Sequence, residues 1–406
     1  MHSPSRQSQR GLDWFAFFLA DIQTGWGPFV AVYLTSQSWT QFDIGLILTV
    51  GTLSAMALQI PMGALVDHVP SKRLLAGIAV LAISGSALLL AWWPTFGVVL
   101  VAKILHAIAS CLVGPVLSAI SLGLVGYNLL SIRLGRNARF LSLGNAIAAG
   151  LMGGVGYYFS NQAIFFVTAA LALPTLIALS QIQSADIDPD LARGGVKRRE
   201  GGSWSSTLAS VARNRPLFIF ASIVVLFQLT NAAMLPIMAG SLTIRVPEWA
   251  TVVIAICILA PQFVVVAIAP SIGRMAQIWG RRRILMVCFI PLCIRGAVFA
   301  LSRDPIAIVA VQLLDGVSAA TLGILVPLII ADTTRGSGHF NLAQGVIGFA
   351  VGIGASLGTT IAGYIADRFG DVVVFLVLSS FGVGGILLVF FFMPETRNST
   401  STTFDN

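Results

Sequence analysis

Charged residues are scarce in this sequence. Lysine, arginine, aspartate and glutamate make up 10% of its 406 residues, against roughly 25% in a soluble globular domain. This scarcity excludes a disordered chain, which combines high charge with low hydrophobicity, and it argues against a water-soluble enzyme. Cysteine is also rare: the four cysteines lie inside apolar runs and form no CxxC pattern. They are predicted to be buried, inert thiols and not metal ligands.

Motifs for metal-dependent hydrolysis and for nucleotide use are missing as well. The sequence contains neither an HExxH pattern nor a Walker loop, the spacings that would place a catalytic zinc or cradle ATP phosphates. We therefore expect a protein that is not an enzyme, binds no metal and needs no cofactor. A channel is also disfavoured, because no filter-like loop interrupts the apolar runs.

Apolar residues, in contrast, are abundant at 56% of the chain, with 40 glycines besides. They gather in runs of about 20 residues, each long enough to cross a bilayer as a helix. The runs are too long and too continuous for barrel strands, which alternate with period two. The sequence thus predicts an all-α membrane protein with twelve spans, near 12–34, 43–66, 74–92, 96–125, 139–159, 162–182, 216–240, 250–273, 283–301, 305–331, 341–364 and 371–393.

The net charge of +8 is explained by topology. Nearly all lysines and arginines outside the runs fall on one side of the predicted membrane, and only Arg245, Arg303 and Arg368 fall on the other. Because basic residues stay in the cytoplasm, this distribution places both termini there, in a bacterial inner membrane. A nucleic-acid partner is not expected.

One long polar stretch, 183–213, divides the chain into two halves of six spans. It predicts an N-terminal bundle over 1–182, a cytoplasmic linker over 183–213 and a C-terminal bundle over 214–406. Within the linker, 203–213 has the pattern of a short amphipathic helix on the inner membrane face, although a solvated linker explains the segment equally.

The two halves repeat each other at an offset of about 210 residues. Gly63 to Arg73, between spans 2 and 3, matches Gly273 to Arg283, between spans 8 and 9, in its glycine, its two basic residues and the aliphatic pair that follows. The repeat also pairs polar positions within the spans: Gln23 with Asn231, and Lys103 and His106 with Gln312 and Asp315. Internal repeats of this kind are typical of secondary transporters.

Twelve spans in two related halves, with the loop G-x-x-x-D-x-x-x-x-[KR]-[KR] after span 2, resemble the major facilitator superfamily. Pro70 and Ser71 replace the glycine and basic residue usual in that loop. The resemblance implies two pseudo-symmetric six-helix bundles that rock about a central cavity lined by spans 1, 4, 7 and 10. It assigns the loops to a cytoplasmic gate, although a pure topology signal is the alternative reading. The gate residues are Gly63, Asp67, Lys72, Arg73, Gly273, Arg282 and Arg283.

Ionisable groups inside the spans are the candidates for mechanism. Each costs at least about 2.5–3.5 kcal/mol near the bilayer centre, so such groups mark pathways, proton relays or partners. Asp21, His106 and Asp315 all fall near mid-membrane, and Lys103 shares a helix face with His106. The set predicted to bind substrate and couple protons is Asp21, Gln23, Trp26, Lys103, His106, Gln228, Asn231, Gln312 and Asp315.

A static role is the alternative for these charges. Asp21 could simply neutralise Lys103, and Asp315 could neutralise Arg295. Coupling is favoured for Asp21 and Asp315, because four cavity-lining spans are polar at matching depth. Many proton-coupled exporters of the family carry an arginine, in a pattern R-x-x-x-G, where Lys103 stands, and the match is partial because Ala107 takes the place of the glycine.

Spans 5 and 11 are rich in glycine, and small residues let membrane helices approach closely. Exporters of the family carry a glycine-rich motif with a Gly-Pro pair in span 5, and this chain lacks the proline. Close helix packing is predicted at Gly144, Gly153, Gly154, Gly358 and Gly363.

Together these patterns predict a secondary transporter that works by alternating access, most simply a proton-coupled exporter of a small organic or drug-like molecule. The expected partners are the substrate, protons and the lipid bilayer, with the chain as a monomer and the proton gradient as its energy source. A proton symporter importing a nutrient is the alternative within transport. A non-transporting receptor or scaffold is the alternative from another class.

Overall fold

The computed structural model describes residues 5–24, 26, 28–195, 211, 213–245, 247–302 and 304–397, and the regular structure in these residues is entirely helical. Ten helical stretches of the described residues are long and apolar enough to cross a membrane, and one of them, Asn161–Ser180, comprises two short helices. The predicted class, an all-α membrane protein, is confirmed. The α-helices are α1 (Arg6–Thr24), α2 (Pro28–Ser36), α3 (Gln41–His68), α4 (Lys72–Trp92), α5 (Phe96–Tyr158), α6 (Asn161–Ala170), α7 (Ala172–Ser180), α8 (Arg215–Arg245), α9 (Pro247–Trp279), α10 (Arg281–Leu301), α11 (Pro305–Thr333), α12 (Phe340–Phe369) and α13 (Asp371–Phe392).

Four of the predicted spans appear in altered form. Predicted spans 4 and 5 are joined in α5, whose 63 residues would run about 95 Å if straight, roughly three times the hydrocarbon thickness. Gly126, with φ 67° and ψ 178°, interrupts the helix between them, in a conformation that only glycine adopts readily. Span 1 is divided into α1 and α2 on either side of Trp26, and span 6 is divided into α6 and α7 at Leu171.

Local capping explains where several helices begin. The side chains of Thr40, Ser71 and Ser160 accept hydrogen bonds from backbone amides in the first turns of α3, α4 and α6. These bonds satisfy amide groups that have no partner inside a helix. Gly280 and Gly370, both at positive φ, make the sharp turns that precede α10 and α13.

The chain forms two compact units. The first comprises Met1–Arg198 with Thr334–Val346, and the second comprises Arg199–Thr333 with Ile347–Asn406. Large side chains that are almost fully buried fill each unit, among them Phe15 and Phe165 in the first and Phe220 and Phe289 in the second.

The domain boundaries expected at 182 and 213 stay a prediction. The described part of the predicted linker packs on the first unit, where Asp188 N donates to the Gly123 carbonyl at 3.0 Å. The amphipathic helix predicted over 203–213 lies outside the described residues, apart from 211 and 213.

Candidate functional site

The first unit holds a polar and aromatic cluster around Trp26, in the break between α1 and α2. Trp26 is 5% exposed and His106, on α5, is 8% exposed. Their rings stack with centroids 4.2 Å apart and planes 18° apart. The Lys103 ammonium lies 5.5 Å from the Trp26 ring centroid, within the range of a cation–π interaction. The helix break thus places Trp26 against the face of α5 that carries Lys103 and His106.

A serine links this cluster to α1. Ser110 Oγ donates to Gln23 Oε1 at 3.2 Å and lies 3.0 Å from His106 Nε2. Because a hydroxyl has a single proton to donate, Ser110 accepts from the Nε2–H of His106. His106 Nδ1 is then a bare acceptor. Neither this atom nor Trp26 Nε1 has a hydrogen-bond partner among the described residues, although an unsatisfied buried polar group costs about 1–3 kcal/mol.

Asp21 lies apart from Lys103. Its side chain is 4% exposed, and its Oδ1 has no hydrogen-bond partner in the described part of the chain. The carboxylate faces Gly144 on α5, where an added Cβ would lie 3.0 Å from Asp21 Oδ1 and would collide with the Phe17 carbonyl. No ion pair joins Asp21 to Lys103 within the residues the structure describes. The static pairing considered for these two residues is therefore not formed.

The second unit gathers its predicted polar residues around Arg295, which is 1% exposed. Arg295 Nη1 donates to Asn231 Oδ1 at 2.7 Å and to Asp315 Oδ1 at 2.6 Å, and Nη2 donates to Gln312 Oε1 at 3.1 Å. Three helices, α8, α10 and α11, are joined through one guanidinium. The static pair of Asp315 with Arg295 is formed. Gln228 is outside this cluster, and its Cβ lies beside Gly354 on α12.

The predicted gate residue Asp67 caps the N-terminus of α12. It is 6% exposed and accepts hydrogen bonds from Asn341 N at 3.1 Å, Asn341 Nδ2 at 2.8 Å and Leu342 N at 2.8 Å. A negative charge at this end of a helix also interacts favourably with the helix dipole. The end of α3 is thereby fixed to the start of α12, within the first unit.

Neighbouring gate residues support this contact. A Cβ on Gly63 would collide with the Asn341 carbonyl, so only glycine permits the close approach. Lys72, 2% exposed, donates to the carbonyls of Val66 and Val69 and so holds the turn after Asp67. Arg73 instead reaches the predicted linker, where it donates to Ser184 Oγ at 2.8 Å.

The second unit has a related arrangement. The offset of 210 residues matches Lys72 to Arg282, but the corresponding buried residue is Arg281, one position earlier. Arg281, the first residue of α10 and 4% exposed, pairs with Asp332 at 2.8 Å and donates to the Ala276 carbonyl at 3.0 Å. It occupies the position that Lys72 holds at the start of α4. Of the predicted residues, Gly273 is buried, Arg283 is exposed, and Arg282 donates to the Phe390 carbonyl.

One buried ion cluster was missed by sequence reasoning. Asp13, 2% exposed, pairs with Arg133 at 2.6 Å and with Arg136. Arg133 also donates to Asn137, which in turn donates to Ser121. The only signal was an aspartate at the start of an apolar run, since the arginines were counted as topology signals.

The glycines predicted to permit close packing fall into two groups. Gly144 and Gly358 lie where an added Cβ would collide with the carbonyls of Phe17 and Leu229, respectively. Gly153, Gly154 and Gly363 have open space within 4 Å in the described structure, so no close approach is seen there.

Gly354 to Gly358 also matches a G-x-S-x-G pattern, but it lies inside α12 and not at the strand-to-helix turn that a nucleophilic serine requires.

Comparison with known proteins gives consistent matches. The chain matches the family profile described as Major Facilitator Superfamily over residues 14–269 and 217–405. It is 38% identical over 392 residues to an uncharacterised MFS-type transporter of Mycobacterium tuberculosis (strain ATCC 25618 / H37Rv), covering 96% of this chain and 94% of that protein. Over 138 residues, 34% of each chain, it is 29% identical to the class B tetracycline resistance protein of Escherichia coli.

Among solved structures, the chain is similar to a variant of the E. coli fucose:proton symporter FucP. The TM-score is 0.71 at 16% sequence identity, and the match covers 96% of this chain and 98% of that one. At this level of identity the likeness concerns the fold alone.

Proposed function

The chain belongs to the major facilitator superfamily and is a multi-pass membrane transporter, and we propose that it exports a small organic molecule in exchange for protons. The partial similarity to a tetracycline resistance protein supports export, because a membrane transporter protects a cell by removing the toxic compound. We place the protein in a bacterial inner membrane with both termini in the cytoplasm. We propose that it acts as a monomer. Because the proton gradient supplies the energy, no cofactor is required.

The observation that carries proton coupling is the isolation of Asp21. An isolated charged carboxylate is far more costly to bury than the neutral acid, and Asp21 Oδ1 has neither a hydrogen-bond donor nor a cation beside it in the described chain. We therefore assign the bound proton to Asp21 in this arrangement. In alternating access, hydration of the site from the opposite side would allow Asp21 to release that proton.

His106 is the second group with a free site for a proton. Its Nε2 is engaged with Ser110, while Nδ1 is a bare acceptor. A proton or a donor group on the substrate would satisfy this atom. We propose that His106 responds to what occupies the site beside Trp26, while Asp21 carries the transported proton.

Asp315 has a different role in this proposal. Its carboxylate already neutralises Arg295, and removing one partner of a buried ion pair leaves the other charge uncompensated, at a cost of about 3–5 kcal/mol. We propose that Asp315 fixes Arg295, Asn231 and Gln312 as a rigid polar cluster of the second unit. Proton transfer at Asp315 would break that cluster in every cycle.

Asp67 supplies the gate. Its three hydrogen bonds to the start of α12 form a discrete contact that can be made in one state of the cycle and broken in another. An element with two discrete arrangements is what a conformational switch requires.

The test begins with a bacterial strain that lacks its own exporters and expresses this protein, grown against a panel of toxic compounds. A compound whose tolerance rises is then added to everted membrane vesicles carrying a respiration-driven pH gradient, reported by acridine orange. Proton-coupled export predicts that the compound dissipates the gradient and recovers the fluorescence. The importing alternative predicts uptake into right-side-out vesicles under an inward proton gradient. A scaffold predicts neither response.

A further inference from the structure

Lys103 differs from the buried basic residues of the described structure in having no anionic or carbonyl partner. Each buried arginine of the described residues has a carboxylate within 4 Å, and buried Lys72 donates to two backbone carbonyls. For Lys103, which is half-buried, the described chain offers only the Trp26 ring, at 5.5 Å. The buried arginines are Arg133, Arg193, Arg281 and Arg295.

The position of Lys103 is fixed by a glycine on the neighbouring helix. An added Cβ on Gly51 of α3 would lie 2.7 Å from both Cγ and Cε of Lys103. The methylene chain therefore crosses α3 at the point where that helix has no side chain. A stem held at its middle keeps the ammonium beside Trp26 and His106, in the membrane-spanning part of α5, and prevents it from extending to the membrane surface as lysines near helix ends do.

The groups around the Lys103 ammonium are mainly hydrogen-bond donors, and none of those in the described residues is an anion. Trp26 Nε1 is a buried donor without an acceptor in the described residues, and the ammonium offers three further donors. The Trp26 and His106 rings supply an apolar wall. The cluster also holds one acceptor without a partner in the described residues, His106 Nδ1, but this nitrogen carries no negative charge. With Asp21 unpaired to Lys103, the donors outnumber this acceptor, and no anion among the described residues balances the ammonium.

We propose that Lys103 is the counter-ion of an anionic substrate, so that this transporter carries organic anions, carboxylates above all, that have an apolar body. The carboxylate would accept from Lys103 Nζ and Trp26 Nε1, and the apolar body would lie against the aromatic rings. Cationic compounds would be repelled at the same position. This inference rests on the proposed function for its assumption that the cluster binds substrate.

The test uses three probes of the same shape that differ in charge: 1-naphthoate, 1-naphthylmethanol and 1-naphthylmethylamine. Binding to the purified full chain in nanodiscs is measured by calorimetry at a fixed pH. We expect 1-naphthoate to bind at least about tenfold more tightly than the other two. Lys103→Gln should weaken that binding by about 10- to 100-fold, the equivalent of a hydrogen bond to a charged group, and Lys103→Arg should restore most of it.

A matched pair of glycine substitutions tests the same point without removing the charge. Gly51→Ala displaces the Lys103 stem, whereas Gly45→Ala, on the same helix, has open space within 4 Å. We expect Gly51→Ala to weaken 1-naphthoate binding with the charge still present, and Gly45→Ala to leave it unchanged. If Lys103→Gln fails to fold, the comparison of Gly51→Ala with Gly45→Ala still tests the proposal.

The proposal is wrong if 1-naphthoate binds no more tightly than the amine or the alcohol, or if Lys103→Gln folds and keeps its affinity. Because binding is measured without a gradient, this outcome is separate from the fate of the proposed function. Selective anion binding without proton movement in vesicles would contradict the exchange mechanism alone. Proton-coupled movement without anion preference would contradict the substrate class alone.

Discussion

Replacing Asp67 by asparagine should release the start of α12. In the native chain, Oδ1 accepts from the backbone and side chain of Asn341, and Oδ2 accepts from Leu342 N at 2.8 Å. Asparagine keeps one acceptor oxygen but presents an NH₂ group where Oδ2 was, so the bond from Leu342 is lost. The negative charge at the helix N-terminus is lost as well.

The size of the effect follows from these two losses. A hydrogen bond to a charged group contributes about 1.5–3 kcal/mol, and a charge at a helix N-terminus contributes about 0.3–1 kcal/mol. Together they predict that the contact is weakened by about 2–4 kcal/mol. At about 1.4 kcal/mol per factor of ten, the amides of Asn341 and Leu342 should exchange with deuterium about 30- to 700-fold faster.

Hydrogen–deuterium exchange with mass spectrometry on a peptide covering 334–346 measures this directly. Asp43→Asn is the matched control, because Asp43 lies at the opposite end of the same helix and its carboxylate, within the part of the chain that the structure describes, bonds only with nearby Thr40. The control should leave exchange in 334–346 unchanged. If Asp67→Asn also leaves it unchanged, the carboxylate does not hold α12 and the gate assigned here is refuted.

Two further predictions concern stability in detergent. Asp13→Asn should lower the unfolding temperature strongly, because it leaves Arg133 buried without its anion, at a cost of about 3–5 kcal/mol. Asp190→Asn should lower the unfolding temperature less, because the Asp190 carboxylate is 38% exposed and lies 3.8 Å from Arg193. Equal effects of the two variants would show that burial of the acid does not strengthen the Asp13 pair. Gly358→Ala should destabilise by about 1–3 kcal/mol through overpacking, whereas Gly363→Ala, on the same helix with open space around it, should be neutral or stabilising. Similar unfolding temperatures for the two glycine variants would refute the close approach at Gly358.

The fold and the family were predictable from the sequence because they depend on quantities that a sequence displays. Apolar runs report bilayer crossings, and the repeated loops report two related halves. The helix break at Gly126 was harder to predict. Gly126 interrupts α5 within a stretch whose composition favours helix on both sides, so only the required span length signals a turn there.

The candidate site could be predicted as a set of residues but not as a set of contacts. Depth in the membrane and spacing on one helix face identified Lys103, His106 and Asp315. Partners, however, depend on which faces of different helices meet, and a single sequence does not contain that information. Asp315 pairs with Arg295, while Asp21 and Lys103 stay apart, although both pairings satisfied the same charge rule.

The same limit explains the ion clusters near the helix ends. Arg133 and Arg281 belonged to groups of basic residues that reported topology equally well whether buried or exposed. Burial of one arginine in each group is decided by a single acid on another helix, Asp13 for Arg133 and Asp332 for Arg281. No spacing in the sequence connects these residues.

The measurement that tests the central claim most directly compares Asp21→Asn with the unaltered protein in everted vesicles, using the compound to which expression confers tolerance. Because Asp21 has no ion pair to lose among the described residues, the variant should fold with an unchanged unfolding temperature. It should exchange labelled compound across the membrane at equilibrium, yet fail to dissipate the pH gradient. Gradient dissipation at the normal rate by Asp21→Asn, or loss of equilibrium exchange together with coupling in a well-folded variant, would contradict the assignment of the transported proton to Asp21.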